Sequence, residues 1–173
     1  MRGCGTIEGK REEIGLLFER RRMDVLALSE TKMKGTGEME FGGVVGRVSG
    51  VTSGRGREGV ALLLSPEVND HVTEWRELGP RIMWVKVKFG REEWVFLSVY
   101  GPGSEKGEDE RERFWNELNG CLESFGVKVN VVLLGDLNTR VGDIPLEGVV
   151  GNFDVPGRNE MGRACWSSVW KEG

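Results

Sequence analysis

VKVNVVLLGDLN, residues 127–138, decides how the chain folds. Gly126 closes the helix before it, a short apolar run reaches Leu134, and Gly135 leads a turn carrying Asp136 and Asn138. A run this short, bounded by turn residues, suits a buried strand and is too short for a helix. An acid and an amide two apart on a glycine-led turn serve a structural turn and a ligand site equally well, and the residues alone leave both open.

Upstream, EKGEDERER (105–113) leads into an expected helix from about Asp109 to Phe125, with Phe114, Leu118, Leu122 and Phe125 on its apolar face. RIMWVKVKF (81–89) alternates in its latter part, Trp84, Lys86 and Lys88 against Val85, Val87 and Phe89. EWVFLSVY (93–100) follows after Gly90-Arg91-Glu92, so the two predict a hairpin. GVALLLS (59–65) predicts a strand ended by Pro66, and DVLALS (24–29) another. The glycine-dense stretch from Gly35 to Gly56 reads as turns around one weak strand. Glu8 to Met23 reads as an amphipathic helix with Ile14, Leu17 and Phe18 on one stripe. Helix, strands, helix, strand is the order of a layered α/β domain.

Glu30 immediately follows DVLALS, Tyr100 ends EWVFLSVY, and Asp136 follows Val131 to Leu134 by one glycine. Open α/β sheets bind ligands just beyond the carboxyl ends of their strands, which makes Glu30, Tyr100, Asp136 and Asn138 candidates for one rim. Carboxylates, an amide and a phenol offer oxygen donors, the set preferred by a hard divalent cation such as Mg2+. Such a cation polarises a phosphoryl oxygen while a carboxylate takes the proton of a water. Each residue also has a plain structural use: an acid after a strand caps or turns, and a tyrosine at a core edge hydrogen-bonds through its hydroxyl. His71 has no matching neighbours and reads as a surface residue. Arg55, Arg57, Arg111 and Arg113 fit phosphate contacts and a solvated face equally well.

The composition sets the outer bounds. The 173 residues suit one globular domain or most of a larger one, and 38% hydrophobic with 30% charged residues excludes wholesale disorder. The 27 glycines imply many tight turns. A net charge of −4 carries no overall basic signature, though phosphate binding depends on where the cations lie. Cys4, Cys121 and Cys165 are odd in number and without a CxxC pair, so free thiols in a reducing setting are expected, with no disulfide framework. The longest apolar stretch, Val60 to Leu64, is far short of a membrane span. No charged-then-apolar leader opens the sequence, so an intracellular protein, nuclear or cytoplasmic and not secreted, is expected.

ALSETK (27–32), SVYGP (98–102) and LLGDLN (133–138), in this order and spacing, resemble the endonuclease/exonuclease/phosphatase superfamily. GRGREGVALLLSP (54–66), ERERFWNEL (110–118) and RNEMGR (158–163) are similar in particular to the apurinic-type endonuclease domains of LINE retrotransposons and to craniofacial development protein 2-like proteins. The likeness runs from Arg2 to about Ala164. It implies a four-layer α/β sandwich, two β-sheets face to face with helices outside. It also implies cleavage of phosphodiester bonds in DNA with Mg2+, or Mn2+ in its place. On this likeness Glu30 ligates the metal, Asp136 orients and deprotonates the attacking water, Asn138 holds the scissile phosphate, and Tyr100 is a hydroxyl donor near it. Asn159 aligns with a rim or structural position.

The chain departs from the pattern at both ends. Family members open with a strand ending like WNVRG and close with an aspartate and a Ser-Asp-His segment, and this sequence has no histidine after His71. The expectation is therefore an incomplete sandwich, truncated at both ends, of weakened catalysis, since loss of such a unit costs several orders of magnitude. CWSSVWKEG (165–173) is unlike the family. Read one base out of frame under one choice of codons, it spells a family-like helix, which implies a frameshifted tail following a partial domain at 1–164. Other readings stay open: a phosphatase or sphingomyelinase branch of the superfamily, a non-catalytic nucleic-acid or protein-binding remnant, and a pseudogene product.

Overall fold

Residues 7–53 and 56–139 are those the computed structural model of the chain describes. Cys4, Arg55, RNEMGR with Asn159, Cys165 and the tail at 165–173 lie outside the described residues. The chain divides into two compact units, Met1–Tyr100 with Gly126–Gly135, and Gly101–Phe125 with Asp136–Gly173.

In the first unit a 3-10 turn, Ile7–Lys10, runs into helix α1, Arg11–Arg20. Strands β1 (Val25–Ser29), β2 (Thr36–Phe41), β3 (Val44–Ser49) and β4 (Val60–Leu64) form one antiparallel sheet in the order β1-β4-β3-β2. Strands β5 (Val72–Gly79), β6 (Ile82–Phe89), β7 (Glu92–Tyr100) and β8 (Val129–Asp136) form the second, in chain order. The chain is thus α/β with two four-stranded sheets, as the sequence implied.

The two faces of β4 explain the layering, because successive side chains of a strand point to opposite sides. Val60, Leu62 and Leu64 pack with Met83, Val85 and Val87 of β6 into the core between the sheets. Ala61 and Leu63 face the other way, against Phe18 of α1 and Phe41, Val44 and Val48 of the β2–β3 hairpin. All five β4 residues are therefore buried, and each fully buried leucine contributes about 2 kcal/mol.

Several expectations need correction. Gly35 to Gly56 holds two strands, paired from Thr36↔Ser49 to Phe41↔Val44. Gly42 and Gly43, at φ 53° and 93°, form the two-residue turn whose positive φ values match the twist of a hairpin. Within it Arg47 is buried but paired with Glu38 across the strands at 2.9 Å. Strand β5 was not expected; its mixed Thr, Glu, Trp and Arg pattern breaks clean alternation. Leu17 is 47% exposed, and Gly15 takes its place against the hairpin. Pro66 ends β4 as expected and also opens a short helix, α2 (Pro66–Asn69), capped by Ser65. The expected β6–β7 hairpin forms, with Glu92 drawn from the expected turn into β7 opposite Phe89, but Trp84 is buried as the valines are and Phe89 is 36% exposed. Strand β8 is half-buried, with Val131 38% exposed, because it ends the order of the described sheet.

In the second unit helix α3, Glu108–Ser124, buries Phe114, Trp115, Leu118 and Cys121. Acids at Glu108, Asp109 and Glu110 favour its N-terminal dipole. The Cys121 thiol is pushed up from 9.0 to about 11 by burial, with the Glu117 carboxylate adding to the shift. Glu117 is itself raised by partial burial. A thiol held protonated in the fold stabilises it below about pH 9, and that contribution is lost as pH rises towards about 11. At pH 7.5, maleimide labelling of Cys121, followed by peptide mapping, should run about a hundredfold slower in the native than the denatured chain. Equal rates would show an accessible thiol. No helix among the described residues is long and apolar enough to cross a membrane.

Candidate functional site

Strand β1 ends at Ser29, and the backbone then turns through two left-handed residues, Glu30 at φ 53° and Lys32 at φ 54°. That conformation costs a non-glycine residue about 1–2 kcal/mol and persists only where the surroundings fix it. Here Thr31 N–H donates to Gly59 O (3.1 Å) and Ile7 N–H donates to Thr31 O (3.3 Å). Thr31 is 1% exposed, and its Oγ1 has no hydrogen-bond partner among the described residues. A Cβ on Gly59 would stand 2.2 Å from that oxygen, and Gly59 itself holds φ 142°. Gly59→Ala is therefore expected to shift the Glu30 turn and cost about 2 kcal/mol, read from urea melting. A midpoint unchanged from native would show that the turn yields freely.

The turn delivers Glu30 to Tyr100, the last residue of β7. The Tyr100 hydroxyl donates to Glu30 Oε1 at 2.7 Å, joining residues 70 apart in sequence. Hydrogen bonds to an ionised acceptor are among the strong ones. A hydroxyl has one proton to give, so this bond commits Tyr100 to orienting the carboxylate, and it reaches a phosphate as donor only by releasing Glu30. Glu30 is exposed, and its Oε2 has no partner among the described residues.

Two residues that the sequence did not single out support Tyr100. Arg81 donates through one guanidinium nitrogen to Tyr100 O (3.2 Å) and through the other to Glu58 Oε1 (2.8 Å). Its guanidinium carbon lies 5.3 Å from the Tyr100 ring centroid. No local pattern links Glu58 to Arg81 across 23 residues, so this pairing has no sequence signal.

At the end of β8, Gly135 (φ 127°) passes so close to β7 that a Cβ would meet Val99 O at 2.0 Å. In the second unit, Asp136 Oδ1 accepts from Asn138 N–H at 2.8 Å. This bond closes a turn over Leu137 and accommodates Asn138 at φ 52°. The Asn138 side-chain amide donates to Gly101 O (2.7 Å), and Gly101 N–H donates to Asp136 O (2.7 Å). Asp136 and Asn138 are thus fixed as a pair, as Glu30 and Tyr100 are in the first unit.

The remaining candidates carry no such grouping. His71 is exposed, edge-on to the Phe89 ring at 4.8 Å. Arg111 donates to Ser104 O and Lys106 O, and Arg113 to Asp109 O, so both brace the start of α3. Among the described residues no group of three or more His, Cys, Asp or Glu is assembled to hold a metal. A single oriented carboxylate open to water fits Mg2+, which keeps several waters and takes one or two carboxylates.

No protein-family model matches the sequence. Craniofacial development protein 2 of Bos taurus is 30% identical over 156 residues, 90% of this chain and 26% of that protein. The Tragulus javanicus protein of the same name is 28% identical over 156 residues, 90% of this chain and 27% of that protein. The chain spans about a quarter of the length of these relatives. In fold it is similar to the AP endonuclease LMAP of Leishmania major, with a TM-score of 0.55 at 12% identity over 78% of this chain and 52% of that one. It is likewise similar to a truncated TDP2 of Caenorhabditis elegans, with a TM-score of 0.53 at 12% identity over 76% of this chain and 56% of that one.

Proposed function

We propose that the chain, which shares the fold of the AP endonuclease and TDP2 structures, is a member of the endonuclease/exonuclease/phosphatase superfamily and acts on phosphodiester bonds of DNA with Mg2+. The observation that carries this reading is the bond between the Tyr100 hydroxyl and Glu30, which leaves one carboxylate oxygen oriented and open to water. A bound Mg2+ would supply charge to the phosphoryl oxygen. The chain's own residues do the rest. Glu30 Oε2 is the holding atom and Tyr100 keeps it aimed. Asp136, with Oδ1 tied to Asn138 N–H, has Oδ2 to take a proton from water. Asn138, anchored through its amide to Gly101 O, stands as the phosphate-binding residue of the resemblance. The retroelement branch of the superfamily, read from GRGREGVALLLSP and RNEMGR, is the finer placement proposed, and action on DNA goes with an intracellular setting.

Nicking of supercoiled plasmid is the test. The native chain should nick in Mg2+, stop when the metal is chelated, and lose about a hundredfold in rate as Glu30→Gln. Nicking that survives chelation, or equal rates in the two proteins, would contradict the reading. Salt-sensitive DNA binding without nicking would instead make the chain a binding module.

A further inference from the structure

We infer that Arg81, anchored by Glu58, is a positioning residue that holds the Tyr100 ring, and through it the Glu30 carboxylate, in the geometry a divalent cation needs. The inference rests on the reading of Glu30 as the residue that holds the metal. Arg81 stands just before β6 with its side chain 13% exposed, beside a Glu58 side chain 22% exposed. A charge so far out of water needs a counter-ion, and Glu58 supplies it at 2.8 Å. The same guanidinium donates to Tyr100 O at 3.2 Å and lies over the Tyr100 ring, 5.3 Å from its centroid. Tyr100 N–H closes the contact by donating to Arg81 O at 2.8 Å.

A strand tie alone would be complete with the backbone bonds and the ion pair; the position over the ring adds something else. Rotation of a phenol about Cβ–Cγ leaves its hydroxyl in place. Only a swing about Cα–Cβ carries the hydroxyl off Glu30, and a cation attracted to the ring face opposes that swing. The planar fork of arginine serves Glu58, the Tyr100 carbonyl and the ring together, which the point charge of lysine does not. With the hydroxyl fixed, Glu30 Oε1 is fixed, and Oε2 does not have to be ordered when a cation binds. Partners behind a metal ligand typically shift metal affinity in this way.

Tyr100 is the chain's single tyrosine, so the full chain labelled with 13Cζ-tyrosine gives one ring resonance. Mn2+ is titrated into the native chain and into Glu30→Gln, Arg81→Met, Arg81→Lys and Glu58→Gln, with cooperative melting as the check on folding. The native resonance should broaden saturably, and Glu30→Gln should abolish the saturable part. Arg81→Met should shift the resonance and weaken Mn2+ binding about tenfold, and Arg81→Lys should fail to restore it. Glu58→Gln, which keeps the cation over the ring, should weaken binding about threefold and carries the comparison if Arg81→Met does not fold. Broadening that Glu30→Gln abolishes but the Arg81 and Glu58 variants leave unchanged would overturn the role of Arg81 alone. No saturable broadening in the native chain would overturn the metal reading and this inference with it.

Discussion

Asp136→Ala should lower Mg2+-dependent nicking by about three orders of magnitude, the range expected when a positioned general base is removed. The alanine variant also loses the Oδ1 acceptor for Asn138 N–H at 2.8 Å, so a fall in rate could come from a loosened turn. Asp136→Asn separates the two causes. Its side-chain oxygen can still accept from Asn138 N–H, while the charge and the proton-accepting oxygen are gone. Both variants should therefore fall by a similar factor, with the melting midpoint of Asp136→Asn close to native. An Asp136→Asn protein that keeps native activity would remove Asp136 from the chemistry and leave it a turn former.

The largest expected effect on stability falls on Gly15 of α1. A Cβ on Gly15 would stand 2.0 Å from Phe41 O, 2.5 Å from its carbon and 2.8 Å from Gly42 Cα, all backbone atoms. Alanine favours a helix over glycine by about 1 kcal/mol, so propensity alone predicts that Gly15→Ala stabilises α1. Sterics oppose it and win, because α1 must lift off the β2–β3 turn and uncover Phe18 and Phe41. A net loss of about 3 kcal/mol is expected, with a fall of about 10 °C in melting temperature. Gly120, within α3 and with nothing within 4 Å of an added Cβ, is the control, where alanine should be neutral or stabilising. A Gly15→Ala protein melting at or above native temperature would contradict the close packing of α1 on the hairpin.

The same hairpin marks the limit of what could be read from the sequence. Strands such as β4, β6 and β7 announce themselves because their apolar runs reflect burial on one or both faces. In β2 and β3 the glycines and the pair Glu38 and Arg47 hide the pattern, since buried Arg47 finds its partners, Glu38 across the strands and Asn69 of α2, only in the fold. Phe41-Gly42-Gly43-Val44 was the available signal, two glycines between apolar residues. Strand β8 erred in the other direction: an apolar run reads as buried, whereas solvent exposure of Val131 depends on whether a neighbouring strand covers it.

The site was legible in part for a related reason. Glu30, Tyr100, Asp136 and Asn138 stand at strand ends or just beyond them, and strand ends are visible. The pairing of Tyr100 with Glu30 was reached only as a shared rim, and the Asp136–Asn138 turn followed from the spacing itself. Arg81 and Glu58 gave no sign, because each looks like an ordinary charged residue near a strand until the fold brings them together.

Holding a divalent cation is the role proposed for Glu30, aimed by Tyr100. Crystals of the full chain soaked in Mn2+ and measured at the manganese absorption edge test it directly. An anomalous peak is expected about 2.1 Å from Glu30 Oε2, with water completing the coordination. A peak on other side chains with Glu30 bare, or no peak at saturating Mn2+, would contradict it.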